Sequence, residues 1–200
     1  MSMKKIIGLT GGIATGKSTV SQILKNLGAI IIDADTVARQ VAEKGEPVLQ
    51  EIQRVFGTEM ILKDGTLDRK KLGALVFNNH QAMQQLNEMI HPKIIEEIKK
   101  ALNWYKNNRK NYVIIIDAAL LIELRLTEMV DEVWVVAVSK EIQKKRLMKR
   151  NDLTEGAAIN RIEMQMSIEE KMTHADQVID NSGNQDDLKK QVKVLWDQMK

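Results

Sequence analysis

The segment "GLTGGIATGKST" (Gly8–Thr19) carries one charge, Lys17, followed at once by two hydroxyls and punctuated by Gly11, Gly12 and Gly16. Gly11, four further residues and then Gly16-Lys17-Ser18 satisfy the spacing of a phosphate-binding loop. Phosphate oxygens need several backbone N–H groups converging on one point, which requires dihedral angles that glycine reaches without steric cost. A helix that starts inside the segment adds its dipole and its unpaired N–H groups. Gly11, Gly12, Ile13, Ala14, Thr15, Gly16, Lys17, Ser18 and Thr19 are therefore the expected loop for a nucleoside triphosphate. In that pattern Lys17 reaches the β- and γ-phosphates and Ser18 ligates Mg²⁺. The pattern alone leaves kinase, motor and switch open.

Two other groups of residues bear on that choice. In "IIIDADTVARQV", Asp33 and Asp35 follow an apolar run, at the edge where open α/β sheets bind ligands. Residues two apart in an extended chain point the same way, so both carboxylates can face one cleft, with Asp35 reaching further toward an acceptor. The alternative for Asp35 is the N-cap of a helix starting at Thr36. In "KEIQKKRLMKRND", Arg146 and Arg150 lie one helical turn apart, and Arg161 sits on the next helix with Gln165 beyond it. Beside a phosphate loop such arginines read as a phosphate clamp; alone they would be a solvated face. A nucleic-acid patch is disfavoured, because no aromatic interleaves the cluster to stack a base.

A regulatory GTPase needs an Asn-Lys-x-Asp segment, which does not occur. Motor and transporter ATPases are usually longer, although "YVIIID" can serve as their acid-terminated strand. A small-molecule kinase needs a group to orient an acceptor hydroxyl, an acceptor lobe and mobile arginines. Another small-metabolite kinase and a non-catalytic nucleotide-dependent switch remain the competing readings.

The elements that must position these residues follow from apolar patterning. Candidate strands are Lys4–Thr10, Ala29–Asp33, Tyr112–Asp117, Glu132–Val138 and Gln177–Asp180; three are nearly continuous apolar runs, as parallel strands covered on both faces require. Helical stretches intervene, such as Lys17–Leu27 closed by Gly28 and Lys140–Arg150 capped by Ser139. Glu46–Asn111 shows only helical patterns: one with Pro47 in its first turn and Gly57 as its stop, one capped by Asp68, and two hinged at His91–Pro92. The absence of cysteine excludes disulfides and thiolate metal sites, and His80, His91 and His174 show no ligand spacing. A net charge of +3 fits an anionic ligand without naming it. The apolar start breaks too early for a secretory signal and no run reaches membrane-spanning length, so a cytoplasmic protein without membrane or nucleic-acid partners is expected.

Nearly end to end, the chain resembles the dephospho-CoA kinase family. The likeness runs through "IGLTGGIATGKSTV", "LGAIIIDADTVARQV", "DGTLDRKKLGALVF", "LNEMIHPKI", "DAALLIE", "RLMKRNDLT", "RIEMQM" and "ADQVIDNSG". It implies an α/β fold: a three-layer parallel-sheet phosphate-loop kinase core with a helical acceptor-binding insertion and a helical lid. Within one domain, 1–200, the core is 1–45, 112–150 and 174–200, the insertion 46–111 and the lid 151–173. The implied reaction moves the ATP γ-phosphoryl, with Mg²⁺, to the 3′-hydroxyl of dephospho-CoA, in a monomer or weak homo-oligomer. The implied catalytic residues are Asp35 as base, Asp33 beside it, Lys17, Arg150 and Arg146. Asn181 is implied near the adenine, and Asp35, His91, Leu120 and Arg161 at the acceptor. Ala119 stands where the family usually has proline, which is expected to loosen the turn after the third strand; Asp117 is left as a contact to magnesium-bound water only.

Overall fold

The computed structural model describes residues 4–77 and 79–199; the limits set above for the core and the insertion also take in residues 1–3, 78 and 200, which lie outside the described residues. The chain divides into two compact units, Met1–Asp33 with Trp104–Lys200, and Ala34–Asn103.

The first unit is built on one parallel sheet of five strands, β1 (Lys4–Gly11), β2 (Ile30–Asp33), β3 (Tyr112–Asp117), β4 (Glu132–Ala137) and β5 (Gln177–Asp180), in the order β2-β3-β1-β4-β5. All five begin and end within about a residue of the runs that announced them; in the inner strands β1, β3 and β4, buried on both faces, no polar alternation blurs the limits, whereas the outer strands β2 and β5 are partly exposed, with Val178 47% accessible. On one face Ile7, Leu9, Val113, Ile115, Trp134, Val136 and Ile179 pack with Val20 and Leu24 of α1 (Lys17–Asn26) and with Leu188, Val192 and Trp196 of α9 (Gln185–Gln198). Ile6, Ile114, Ile116, Val133 and Val135, on the opposite face, are buried as well. This is the α/β fold expected, with apolar side chains on both sides of the sheet. Trp134, 1% exposed, still satisfies its indole N–H by donating to Glu132 Oε2 at 2.9 Å.

The register puts Asp33 opposite Asp117 and Leu9 opposite Asp117, so the last residues of β2 and β3 and the exit of β1 share one carboxyl edge. Beyond the edge of β4, the unit continues through α6 (Lys140–Asn151), α7 (Glu155–Glu163) and α8 (Ile168–Met172). Side-chain oxygens of Ser139, Thr154, Ser167 and Asn184 accept from first-turn N–H groups of α6, α7, α8 and α9.

The second unit is helical: α2 (Ala34–Gln40), α3 (Pro47–Phe56), α4 (Arg69–Phe77) and most of α5 (His80–Asn108), with an isolated bridge between Ile61 and Leu67. Val48, Leu49 and Ile52 of α3 pack with Ala42, Met60, Leu67, Leu72, Val76 and Ala82 in its core. Pro47 and Gly57 bound α3 as expected, and Asp68 Oδ1 accepts from Lys71 N at the start of α4.

Two expectations are corrected here. No break occurs at His91–Pro92: α5 runs unbroken through Pro92. An interior proline costs about 3 kcal/mol, but Ile94, Ile98 and Leu102 form a buried stripe just beyond it, and each contributes about 1.5–3 kcal/mol. The stripe outweighs the proline. Asp33 and Asp35 do not share one extended segment: β2 ends at Asp33 and α2 starts at Ala34, so Asp35 lies in the first turn of a helix, where neither the shared orientation of alternate strand residues nor the alternative N-cap at Thr36 applies.

Candidate active site

Between β1 and α1 the loop is fixed by close approach and by side chains that hold its carbonyls. Gly16 has φ 92° and ψ 21°, and a Cβ there would stand 2.1 Å from Asn181 Nδ2. A Cβ on Gly11 would stand 2.7 Å from the Val136 carbonyl oxygen. Only glycine fits either place. Ala14 is also left-handed, at φ 62°, a conformation that needs its surroundings to hold it.

Those surroundings are specific. Asn181 Nδ2 donates to the Thr15 carbonyl at 2.7 Å, and Arg146 reaches the same carbonyl at 3.5 Å while donating to the Asn181 carbonyl at 2.9 Å. Gln143 Nε2 donates to the Ile13 carbonyl at 2.9 Å, and Ile13 N–H donates to Gln165 Oε1 at 2.9 Å. Thr15, fully buried, closes the loop on itself through its hydroxyl, which donates to the Gly12 carbonyl at 2.9 Å. In a planar trans peptide the C=O and the following N–H point in opposite directions. With the carbonyls of Ile13 and Thr15 drawn to these side chains, the N–H groups of Ala14 and Gly16 are turned away from them. Such an array of directed N–H groups suits an anion.

Unlike α6 to α9, α1 starts at Gly16 with no side-chain cap. Its first-turn N–H groups at Lys17 and Ser18 have no intrahelical acceptor, which leaves the positive end of the helix dipole open to a ligand. Lys17 Nζ donates to Asp117 Oδ1, in an ion pair whose side chains are 14% and 8% exposed.

Two clefts flank the loop. One, of about 310 Å³, is lined by Ser18, Ser21, Gln22, Lys25, Ile31, Asp33 and Asp117. The other, of about 300 Å³, is lined by Ala14, Gly16, Thr19, Arg146, Asn181, Gly183, Gln185 and Leu188. The structure thus brings Ser18, Asp33 and Asp117, the partner of Lys17, to one cleft, and Ala14, Gly16 and Thr19 of the loop with Arg146 and Asn181 to the other.

The remaining residues singled out from sequence are placed differently. Arg150 is exposed and donates through Nε to its neighbour Asn151, and Arg161 is exposed on α7. Leu120 is half-buried in the turn after β3. In the helical unit, Asp35 is exposed on α2, and half-buried His91 on α5 borders a groove of about 470 Å³ with His80, Met83, Gln84, Asn87, Glu88 and Pro92. Burial holds the His91 imidazole below its ordinary pKa by disfavouring the cation.

The turn after β3 is not loosened by Ala119. Its carbonyl accepts from Thr10 Oγ1 at 3.2 Å and from Lys171 Nζ at 2.9 Å, so side chains from β1 and α8 hold what a proline ring would otherwise stiffen. Sequence reasoning missed Gln143, Lys171 and Glu123. Nothing in the local pattern sets Gln143 apart from its helix-mates, and Lys171 sits among glutamates as a solvated lysine would.

The sequence profile of the dephospho-CoA kinase family matches residues 5–187. A dephospho-CoA kinase of Bacillus cereus is 48% identical over 193 residues, which cover 96% of each chain. A crystal structure from Thermus thermophilus aligns over the whole of both chains with a TM-score of 0.81 and 28% identity. The dephospho-CoA kinase of Campylobacter jejuni aligns over 99% of this chain and 98% of its own, with a TM-score of 0.65 and 31% identity.

Proposed function

This chain belongs to the dephospho-CoA kinase family, and on that footing we propose that its phosphate loop transfers the γ-phosphoryl of ATP to the 3′-hydroxyl of dephospho-CoA, giving ADP and coenzyme A. The carrying observation is the loop itself: an uncapped helix start, peptides turned by Asn181, Arg146 and Gln143, and Lys17 at the start of α1 paired with Asp117 at the end of β3. Such a loop binds phosphates in any of several enzymes; the family narrows it to this phosphotransferase.

Phosphoryl transfer asks little covalent chemistry of the protein and much positioning and charge. The loop N–H groups hold the β-phosphate, and Lys17 offsets charge on the oxygens of the transferring group. In taking that role Lys17 exchanges one anionic partner, Asp117, for another. Ser18, Asp33 and Asp117 present a hydroxyl and two carboxylates to one cleft, a hard oxygen set that suits Mg²⁺ held jointly with substrate phosphates. Bound there, magnesium would neutralise charge between the β- and γ-phosphates.

Asp35, two residues past Asp33, is assigned the proton of the acceptor hydroxyl. Residues 46–111 are assigned to dephospho-CoA, with His91, Leu120 and Arg161 among its contacts, and residues 151–173 to a lid, on whose side Arg150 and Arg146 meet the phosphates. Arg146 and Asn181 border the cleft assigned to the adenosine side, where they also set the loop. The site as assigned needs no second copy, so a monomer or weak homo-oligomer suffices. A cytoplasmic location accords with ATP as donor, and no helix among the described residues is long and apolar enough to cross a membrane.

Coupled ADP release tests the reading, with dephospho-CoA run beside a panel of nucleosides and nucleotides. Turnover is expected with dephospho-CoA far above the panel. Faster turnover with a nucleoside or nucleotide would reassign the acceptor, and ATP binding without any acceptor-dependent turnover would make the protein a switch.

A further inference from the structure

Lys171, on α8, is 0% exposed, and burying an ammonium is expensive unless its hydrogens are matched. Here all three are. Its Nζ donates to the Ala119 carbonyl at 2.9 Å, to Glu123 Oε1 at 2.8 Å and to Glu123 Oε2 at 3.0 Å. Glu123 keeps a quarter of its side chain in solvent, so the pair is desolvated mainly on the lysine side.

The acceptors all belong to the segment that leaves β3. That segment starts two residues after Asp117, the partner of Lys17, and includes Leu120. The Ala119 carbonyl has a second donor, the hydroxyl of Thr10, which directly precedes Gly11 of the phosphate loop. Its Ala118 neighbour donates its N–H to the Leu9 carbonyl at 3.0 Å. One carbonyl therefore joins the exit of β1, the exit of β3 and α8.

We propose that Lys171 is a positioning residue for phosphoryl transfer: through Glu123 and the Ala119 carbonyl it fixes the turn that follows Asp117 against the start of the phosphate loop, and so holds Asp117 in place. A buried ammonium with three filled bonds tolerates little displacement of any acceptor. Its loss frees the turn to shift, and Asp117 shifts with it. The same lysine ties the segment to α8, which follows Gln165, the acceptor for Ile13 N–H in the loop. The proposal rests on the functional reading given above.

The test compares the parent with Lys171→Met, Glu123→Gln, Asp117→Asn and Asp117→Asn/Lys171→Met. Turnover is followed by ADP release with ATP and dephospho-CoA, ATP affinity by titration calorimetry, and folding by circular dichroism. Lys171→Met is expected to lower kcat at least about tenfold, since misplacement by an ångström is costly to a reacting centre, with the Kd for ATP within about threefold. Glu123→Gln, which still offers an oxygen to Lys171, is expected to lose less, about threefold or more. On the Asp117→Asn background, Lys171→Met should cost less than about threefold further, because residues acting through one another are not additive. A Lys171→Met protein that melts earlier but keeps kcat within about twofold would make the lysine merely structural, and multiplicative losses with Asp117→Asn would place its action elsewhere. If Lys171→Met does not fold, the same criteria applied to Glu123→Gln decide. A parent without dephospho-CoA-dependent turnover overturns the functional reading and this proposal together; an active parent with unaffected variants overturns the proposal alone.

Discussion

Replacing Lys17 by methionine keeps the length and the apolar stem of the side chain and removes its charge, which separates two roles of one residue. In the fold, Lys17 neutralises Asp117, whose side chain is only 8% exposed. Removing one member of a largely buried pair costs about 3 kcal/mol, the lower end of the range being apt because Lys17 itself is not fully enclosed. For a chain of this size that corresponds to a fall in Tm of about 6–12 °C. Adding Asp117→Asn removes the stranded charge and should recover about half of the loss or more, since an amide is far cheaper to bury than a carboxylate. In catalysis, by contrast, nothing should be recovered. Loss of a charge aimed at the transferring group lowers kcat by about a hundredfold or more, and the double variant should be at least as slow. Thermal melts at 222 nm and coupled ADP release measure the two effects on the same samples. A double variant no more stable than Lys17→Met would refute the stranded-charge account. A Lys17→Met enzyme within a few-fold of the parent kcat would refute the assignment of the loop.

Asp35→Asn should lower kcat by about 10²–10⁴-fold with little change in ATP affinity, because an amide cannot take the acceptor proton; a larger kcat effect from Asp33→Asn would exchange their roles. Arg146→Ala should weaken ATP binding by freeing the Thr15 and Asn181 carbonyls, and Arg146→Lys should restore only part, since one ammonium cannot span both oxygens as the planar fork does; equal affinity for all three proteins in calorimetry would contradict this. Gly16→Ala should destabilise the loop by about 1–3 kcal/mol, from its left-handed backbone and the Asn181 clash, and reduce ATP affinity, read by melting with and without nucleotide. Burial holds His91 below its ordinary pKa of 6.5, so the unfolded chain binds that proton more tightly; the stability His91 contributes is full above pH 6.5 and falls as pH drops through the lowered value. His91→Gln should flatten that part of the Tm–pH curve, and an unchanged curve would refute the attribution.

What the sequence disclosed depended on how far each signal reached. Three of the strands were legible because burial on both faces writes nearly uninterrupted apolar runs, and the phosphate loop because its chemistry is packed into nine residues, Gly11–Thr19. Pro92 misled because its local signal is strong while the stripe that overrides it, Ile94, Ile98 and Leu102, looks like any amphipathic helix. Asp117 was visible as a strand end, but its partner lies 100 residues away. Lys171 and Glu123 are 48 residues apart, and their neighbours give no hint that this lysine, unlike Lys140 or Lys189, is withdrawn from water. Gln143 and Gln165 likewise acquire meaning only when α6 and the end of α7 meet the peptide of Ile13.

The strand order also sets a timetable for synthesis. β1 pairs with β3 and β4, and β2 pairs only with β3, so no rung of the sheet can form before Tyr112–Asp117 has been made. At about 5–20 residues per second, the nascent β1 waits roughly 5–20 s for its first partner. During that interval its Ile6, Ile7 and Leu9, all destined for the interior, are unpartnered, and the intervening helices Ala34–Asn103 are the part of the chain able to condense first. A ribosome stalled before residue 112 should therefore display a collapsed helical segment behind an exposed apolar strand, the kind of edge that chaperones capture.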